Sequence, residues 1–517
     1  MFDSINLQEA ICDIFDYGLE DDNLALVYRA NQEVHMAVKT PGGLTERHVV
    51  KDSVLQGDTF GSLLASVQVD TIAKEVAKTE VGYKYKEELD VPILGLVDDI
   101  IGISTAGYKA QIINTILNLK SAEKGLQFGT SKCKIMVIGK KIDQLRNNKI
   151  YIDKWSEEYV DDEDTGETEL IENFVGKISL EEVKEQKYLG FILSSKGNNI
   201  ANIQSIEKKS IGVMRTIFQK LDNLKLRQYY YECSKIFMNV ILRGSILYAS
   251  ECYYNLTENN LRRIEKIEER YMRKVFKTSR NCPIAQMYLE FGQWPARFEI
   301  QKRRCLFLKY ILNQNEKSQI FKFFKLQLEN PTKNDWVSKC LSDLSELKIQ
   351  ETLNEIKQMP RNKFKNIIKR RISINALEYL HNKRGSKGKE IEFTSLEMSE
   401  YLLPYNSKMN IEEKRELFAI RNKMINIPNN FGKKEEKCVC GTLETMSHIY
   451  SCKSLNQTES VRIHYEEIYN GNLRNMIEIF RRMEINLKKR TEIKSRKPFP
   501  CDPSDPLYCF SIDLDNK

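Results

Sequence analysis

Two neighbouring aspartates are the residues of this 517-residue chain whose type and spacing most suggest chemistry. Asp98 and Asp99 lie between two apolar runs, residues 91–97 and 100–103, a pattern that predicts a β-hairpin with both carboxylates at its tip. Adjacent carboxylates repel each other unless a cation lies between them, and Mg²⁺ favours one or two carboxylates together with substrate phosphates. The alternative for an isolated Asp-Asp pair is a solvated turn.

A second candidate site is a cluster of soft ligands near the C-terminus. Cys438, Cys440, His448 and Cys452 fall within fifteen residues and supply the four ligands that tetrahedral Zn²⁺ requires, and Gly441 permits a tight turn between them. The chain contains only five His, so the presence of one here favours a structural zinc site over incidental thiols.

Three further segments flank the acid pair. Gln56 and Gly57 belong to a glycine-punctuated loop that enters a helix, where the glycines allow close backbone approach to a ligand. Lys132, with Lys134 as the alternative, follows the acids by about 34 residues, and residues 187–191 read Lys-Tyr-Leu-Gly-Phe. Each segment also has an ordinary structural explanation. The Gln-Gly loop could be the start of a helix, Lys132 could be a surface lysine, and Tyr188 could be an aromatic residue of a strand.

In this order the segments resemble motifs B, C, D and E of reverse transcriptases, in particular those of non-LTR (LINE-like) retrotransposons. Phe2 resembles the aromatic at the end of motif A, and residues 40–45 resemble the hairpin that precedes motif B. The resemblance covers residues 2 to about 200 and predicts an α+β fold: an incomplete right-hand polymerase palm, an antiparallel sheet with helices.

The resemblance implies a role for each matching position. Asp98 and Asp99 would hold the catalytic Mg²⁺ for nucleotidyl transfer, and Lys132 would protonate the pyrophosphate. The resemblance also implies nucleotide- and template-binding residues. Gln56 and Gly57 would lie over the nascent base pair, and Phe2 would lie at the ribose. Tyr188, Leu189 and Gly190 would form the primer grip.

One departure from the family pattern matters. The motif A aspartate stands five residues before the aromatic, a position that lies ahead of Met1. We therefore expect an N-terminally truncated RNA-directed DNA polymerase that is inactive alone, with RNA template, DNA primer and dNTP as partners. The alternatives are a non-catalytic nucleic-acid-binding remnant that uses the thumb and zinc knuckle, and a zinc-stabilised helical adaptor.

The hydrophobic periodicity predicts how these segments are positioned. Strands and helices alternate up to residue 200, and almost purely helical stripes follow. The predicted domains are a partial palm, a basic helical thumb, a helical connector, a CCHC zinc knuckle and a C-terminal helix and tail, at residues 1–200, 201–310, 311–430, 431–460 and 461–517.

The charge is distributed unevenly. Residues 201–310 carry 21 Lys and Arg against 10 Asp and Glu. Seven of these cations recur at helical spacing: Arg262, Arg263, Lys266, Arg270, Arg273, Lys274 and Lys277. They could follow the phosphates of a nucleic acid, or they could pair with the interleaved Glu265, Glu268 and Glu269. Tyr229, Tyr230, Tyr231 or Trp294 could stack on bases.

Residues 157–172 contain nine carboxylates and no cation, which predicts a solvated loop.

Length and composition exclude several classes of protein. The Gly and Pro content is low, 24 and 12 residues, and 41% of the residues are hydrophobic, so wholesale disorder and collagen are excluded. No apolar stretch approaches the roughly 18 to 20 residues that cross a bilayer, and the N-terminus does not have the order of a signal peptide. We expect no membrane span and an intracellular protein that is not secreted, with its oligomeric state open.

Overall fold

The computed structural model describes the chain in ten longer stretches and a set of short pieces near the C-terminus. The stretches are residues 5–51, 60–86, 88–97, 99–126, 128–139, 149–161, 168–223, 229–278, 282–384 and 409–422, and the pieces are residues 402, 405, 424, 437–438, 440–445, 448–449, 452–455 and 482. The chain divides into two compact units, one formed by residues 1–201 with 315–329 and the other by residues 202–314 with 330–517.

The first unit contains four helices and fourteen strands within its described N-terminal part, and a fifth helix within residues 315–329. The helices are α1 (Leu7–Asp16), α2 (Asp21–Gln32), α3 (Gly61–Ala77) and α4 (Gly107–Glu123). The strands are β1 (Glu33–Met36), β2 (Lys39–Thr40), β3 (Gly43–Leu44), β4 (His48–Lys51), β5 (Tyr83–Tyr85), β6 (Leu89–Val91), β7 (Ile93–Leu96), β8 (Asp99–Gly102), β9 (Lys134–Ile135), β10 (Tyr151–Asp161), β11 (Thr168–Ser179), β12 (Glu181–Glu182), β13 (Glu185–Tyr188) and β14 (Phe191–Ser194).

The core of the first unit lies between its helices and the β7–β8 hairpin. Leu7 and Ile14 of α1, Leu64 and Ile72 of α3 and Leu117 of α4 are all buried in one cluster. Asn6 caps α1, since its side-chain oxygen accepts hydrogen bonds from the amides of Gln8 and Glu9. The mixed α and β composition that the sequence predicted is confirmed.

The strands do not join into one sheet within the described residues. They form seven two-stranded sheets, of which six are antiparallel and β9–β12 is parallel. The predicted hairpin ahead of α3 is confirmed, because β1 pairs with β4 and β2 with β3. The single antiparallel palm sheet is not found, and the strands of only two to four residues in most of these pairs explain why no wider sheet forms.

The acidic insertion differs from its prediction. Residues 157–161 and 168–172 are not a loop but the outer parts of β10 and β11, which pair antiparallel from Tyr151↔Ser179 to Asp161↔Thr168. Aromatic and β-branched residues interrupt the acids, for example in the pairs Tyr159↔Leu170 and Val160↔Glu169. Their strand propensity outweighs the charge repulsion on which the loop prediction rested.

The second unit is helical. Its helices are α5 (Ile200–Asp222), α6 (Tyr230–Phe237), a π-helix (Met238–Leu242), α7 (Arg243–Ile246), a 3₁₀ turn (Ser250–Cys252), α8 (Glu258–Phe276), α9 (Ile284–Phe291), α10 (Ala296–Leu312), α12 (Trp336–Glu346), α13 (Leu353–Gln358), α14 (Arg361–Arg384) and α15 (Ile411–Arg421). Helix α11 (Gln319–Glu329) belongs to the first unit, where Phe323 packs against Tyr85 at 4.5 Å between ring centroids.

One hydrophobic core runs through the predicted thumb, connector and knuckle. It includes Ile203 of α5, Phe276 of α8, Leu380 of α14, Phe418 of α15 and Ile449 beside the cysteine cluster. The helical unit begins at residue 202, and residues 315–329 of the predicted connector lie in the first unit. Within the described residues, no helix combines the length and hydropathy needed to cross a membrane.

Candidate functional site

The first candidate site is the tip of the β7–β8 hairpin. The last cross-strand pair is Leu96↔Asp99, and Asp99 is exposed at the start of β8. Val97, which follows β7, has φ +56°, a left-handed conformation that is an outlier for a β-branched residue. Backbone strain of this kind costs on the order of 1–3 kcal/mol and clusters at functional sites.

The body of the hairpin is held by two helices. A Cβ on Gly95 would lie 3.5 Å from a methyl of Val69 on α3, and a Cβ on Gly102 would lie 3.0 Å from Ile113 on α4. The approach of β8 to α4 at Gly102 is tight, whereas the approach of β7 to α3 at Gly95 is an ordinary van der Waals contact. This packing supports the strained turn.

The predicted primer-grip residue lies beside the hairpin tip. The hydroxyl of Tyr188 lies 3.5 Å from the backbone carbonyl oxygen of Asp99, although the two residues are 89 positions apart. Burial raises the pKa of Tyr188, and the negative charge of Asp99 raises it further. Leu189 and Gly190 have φ of +46° and +82° and form the turn between β13 and β14.

The remaining predicted residues of this site are only partly placed. Lys132 is exposed and lies in a turn, where its backbone amide donates a hydrogen bond to the carbonyl of Gly129 at 2.8 Å. The alternative lysine, Lys134, forms an ion pair with Glu181 at 2.6 Å, which makes Lys132 the better candidate. Four predicted site residues lie outside the described part of the chain: Phe2, Gln56, Gly57 and Asp98.

The second candidate site is the cysteine–histidine cluster, whose four residues the structure brings together. The potential ligand atoms of Cys438, Cys440, His448 and Cys452 all lie within 4.8 Å of one another. The sulfurs of Cys438 and Cys452 are 3.7 Å apart, and the Cys440 sulfur is 3.1 Å from Nε2 of His448. Tetrahedral Zn–S bonds of about 2.3 Å place ligand atoms about 3.8 Å apart, so this cluster could hold a metal such as zinc.

A short turn positions the first two cysteines. The Cys438 amide donates to the carbonyl of Thr442 at 2.8 Å, and the Gly441 amide donates to the carbonyl of Cys438 at 2.9 Å. Gly441 has φ +89°, which explains why glycine follows Cys440. Hydrogen bonds with Thr442 lower the pKa of Cys440 to about 6, which favours the thiolate that binds metal.

Sequence reasoning missed the residues that support this cluster. The hydroxyl of Thr445 accepts from the amide of His448 at 3.1 Å, an arrangement that the Thr-x-x-His spacing could have indicated. Arg482 is buried and donates to the carbonyl of Ile449 at 3.1 Å. No local pattern connects residue 482 with residue 449, so this contact could not be found from the sequence.

The predicted cationic stripe on α8 is divided by the fold. Arg273 is buried and Arg263 pairs with Glu207 at 2.6 Å, so neither faces outward as a free cation. Glu265 and Glu268 do not neutralise the stripe, because they bond Arg297 and Arg243 of other helices at 2.5 and 2.7 Å. Five members remain exposed at steps of four and three residues: Arg262, Lys266, Arg270, Lys274 and Lys277.

The predicted base-stacking aromatics are mostly inside the unit. Tyr230 and Tyr231 are buried, and Tyr231 stacks on Tyr405 with ring centroids 5.4 Å apart. Trp294 donates to Glu299 at 3.2 Å. Tyr229 is the exposed member of the set, and it is therefore the one that remains available for stacking.

The chain matches no protein-family model, and no curated protein matches it. The two candidate sites therefore depend on their own geometry.

Proposed function

We propose that this chain is the RNA-directed DNA polymerase fragment of a non-LTR retrotransposon, with the β7–β8 hairpin tip as its nucleotidyl-transfer site. The proposal assigns Asp98 and Asp99 to Mg²⁺, Lys132 to the leaving pyrophosphate and Tyr188 to the primer. It also assigns structural Zn²⁺ to the cysteine–histidine cluster of the second unit.

One observation carries the proposal: the exposed Asp99, close to the strained Val97, lies next to Tyr188. The resemblance assigns these two segments to the metal ions and to the primer, and they lie side by side although 89 residues separate them in the sequence, which supports the proposal. The left-handed Val97 gives a second reason, because a turn without a task would be expected to carry Gly or Asn there.

The residues of the site have distinct tasks in this proposal. When bound, Mg²⁺ would supply the charge stabilisation that phosphoryl transfer requires. Asp99 contributes a carboxylate that has no ion-pair partner among the described residues, and it begins the strand that packs against α4 at Gly102. Tyr188 bounds the site at one side, where its hydroxyl can orient a primer end.

Metal binding tests the site directly. Mn²⁺ binding to the full chain, in the presence of a template–primer and a dNTP, is measured by electron paramagnetic resonance. We expect Asp99→Asn to weaken Mn²⁺ binding at least tenfold and Asp16→Asn, which changes an exposed aspartate at the end of α1, to leave it unchanged. Equal binding by Asp99→Asn and the wild type contradicts the proposal.

A second candidate function, a non-catalytic nucleic-acid-binding remnant, is favoured by the exposed face of α8. Arg262, Lys266, Arg270 and Lys274 follow one another at four-residue steps, so their charges form one continuous row. Such a row can neutralise several phosphates without reading sequence.

Primer extension on an RNA template separates the two functions. Incorporation that Asp98→Ala abolishes supports the polymerase. Tight, salt-dependent binding of the template–primer without incorporation supports the binding remnant when Asp99→Asn also leaves Mn²⁺ binding unchanged. Absence of both, in a filter-binding titration at physiological salt, would leave the zinc-stabilised adaptor.

A further inference from the structure

Helix α11 comes from the predicted connector but lies in the first unit. Residues 315–329 belong to the first unit, whereas Gln314 and Asn330 on either side of them belong to the second. Phe324 and Leu326 of α11 are buried, so two apolar side chains anchor the helix by the hydrophobic effect. The helix is therefore a packed element of the first unit and not a loose linker.

Helix α11 packs against the strand pair that precedes the β7–β8 hairpin. It contacts β6, and the ring centroids of Phe323 and Tyr85 of β5 are 4.5 Å apart. Tyr85 pairs across the strands with Leu89 of β6, which is buried. Aromatic pairs at this spacing stabilise a contact beyond the area that they bury. The helix thus holds both strands of the pair.

A single proline joins this strand pair to the β7–β8 hairpin. β6 ends at Val91, Pro92 follows, and β7 begins at Ile93. The proline ring fixes φ at about −65°, so the joint has little freedom to bend. The carbonyl of Pro92 also accepts a hydrogen bond from the amide of Ile103 at 2.8 Å, which closes the base of the hairpin.

Gly82, just ahead of β5, packs against the same joint. A Cβ at this position would overlap the backbone nitrogen of Pro92 and would lie 2.5 Å from a carboxylate oxygen of Asp90. Glycine is the residue that allows the backbone to approach this closely. Because the joint is short and tightly packed, the orientation of β5 and β6 determines the direction in which β7 starts.

We propose that α11 positions the Asp99 carboxylate by holding the base of the β7–β8 hairpin. This inference rests on the proposed function, since it concerns the metal site at the hairpin tip. α3 and α4 contact the body of the hairpin at Gly95 and Gly102, and α11 supplies a further support at its base. Phe323 is a positioning residue, because it acts through β6 and Pro92 and not by touching a metal ion.

The length of the hairpin makes the support at its base important. β7 has four residues, and at about 3.3 Å per residue the tip lies about 13 Å from the base. A tilt of about 10° at the base would move the tip by about 2 Å, which is about the length of a Mg–O bond. A metal site requires its ligands to be held far more closely than that.

Amide hydrogen exchange of the full chain, without metal, tests the support. We expect Phe323→Ala to speed exchange in residues 93–103 by roughly threefold or more, and Phe323→Leu, which keeps part of the apolar contact, to have a smaller effect. Phe323 is 37% exposed, so we expect both variants to fold, which circular dichroism checks. Unchanged exchange in residues 93–103 of Phe323→Ala overturns the proposal.

The matched control is a second exposed aromatic pair. Tyr310 of α10 is 54% exposed and stacks on Phe307 with ring centroids 5.7 Å apart. Tyr310→Ala therefore removes a comparable ring from a pair outside the first unit. It should leave exchange in residues 93–103 unchanged.

Mn²⁺ binding separates positioning from simple stabilisation. Under the conditions used for Asp99→Asn, Phe323→Ala should weaken Mn²⁺ binding by roughly threefold or more, and Tyr310→Ala should leave it unchanged. Faster hairpin exchange with wild-type Mn²⁺ affinity would overturn the positioning role. Failure of the proposed function is a different result, because Asp99→Asn would then bind Mn²⁺ as well as the wild type does, and the exchange rates would still decide whether α11 holds the hairpin.

Discussion

The core of the helical unit and the hairpin tip of the first unit hold their charged groups in different ways. In the helical unit, ion pairs are buried in the core: Arg243 with Glu268 at 2.7 Å, and Arg304 with Asp343 at 2.6 Å. In the first unit, the Asp99 carboxylate is exposed at a strained turn.

This difference changes how the basic region is interpreted. The excess of Lys and Arg between residues 201 and 310 indicates nucleic-acid binding when only the sequence is considered. In the structure, several of these cations form hydrogen bonds inside the unit instead. Arg243, for example, donates to Glu268, to Gln293 and to the carbonyl of Trp294. The surface charge available to a polyanion is therefore smaller than the regional total.

The largest effect is expected from breaking the buried pair of the helical unit. Glu268 is fully buried and accepts hydrogen bonds from Arg243, Tyr288 and the amide of Ala296. Glu268→Ala leaves Arg243 buried without its partner, which typically costs about 3–5 kcal/mol. Urea denaturation of the full chain measures this loss.

The control for that substitution is an exposed pair on the same helix. Arg262 bonds Glu258 at 3.3 Å with both side chains more than half exposed. Arg262→Gln should change the free energy of unfolding by about 0–1 kcal/mol. Equal losses for the buried and exposed substitutions would contradict the contrast between charges in the core and charges at the surface.

Removal of the metal should also affect the helical unit. Ile449 beside His448 is part of the core of that unit, so loss of the cluster removes a buried side chain from it. We expect His448→Ala to abolish zinc binding, from about one ion per chain, and to lower the melting temperature. Cys12→Ala, at an exposed cysteine of α1, is the control. Full zinc content in His448→Ala would contradict the assignment.

The sequence predicts local patterns better than distant partners. The hairpin with its acidic tip, helix α3 and the four-residue cysteine–histidine set follow from periodicity and spacing and are found in the structure. The pairing of Glu265 with Arg297 and the burial of Arg273 depend on how helices pack. No pattern within α8 encodes either fact.

A smaller effect is expected at the exposed face of α8. The double substitution Lys266→Gln and Arg270→Gln removes two cations, and each phosphate contact contributes about 0.9 to the slope of log affinity against log salt. The slope should fall by about 1.8 in fluorescence-anisotropy titrations with a duplex. The matched double change, Lys363→Gln and Lys365→Gln on α14, should leave the slope unchanged. The reverse pattern would place the binding face elsewhere.

A pH-dependent effect is expected at Glu269, whose pKa burial raises to about 7. A carboxyl with a raised pKa binds a proton more tightly in the folded state, so its contribution to stability is present at low pH and is lost as pH rises from about 4.5 to about 7. Glu269→Gln should make stability less dependent on pH across that window. Thermal melts between pH 5 and pH 8 measure this dependence, and an unchanged slope would contradict the assignment.

The proposed Mg²⁺ site at the hairpin tip is tested most directly by replacing Mg²⁺ with Fe²⁺ and mapping where iron-generated radicals cleave the chain. Because the hydroxyl of Tyr188 lies 3.5 Å from the Asp99 carbonyl, one bound ion should cut the chain in both segments, near residues 97–100 and near residues 188–190. Asp99→Asn should abolish both sets of cuts together. Cleavage confined to other segments, or persisting in Asp99→Asn, would contradict the assignment of a polymerase site to this hairpin.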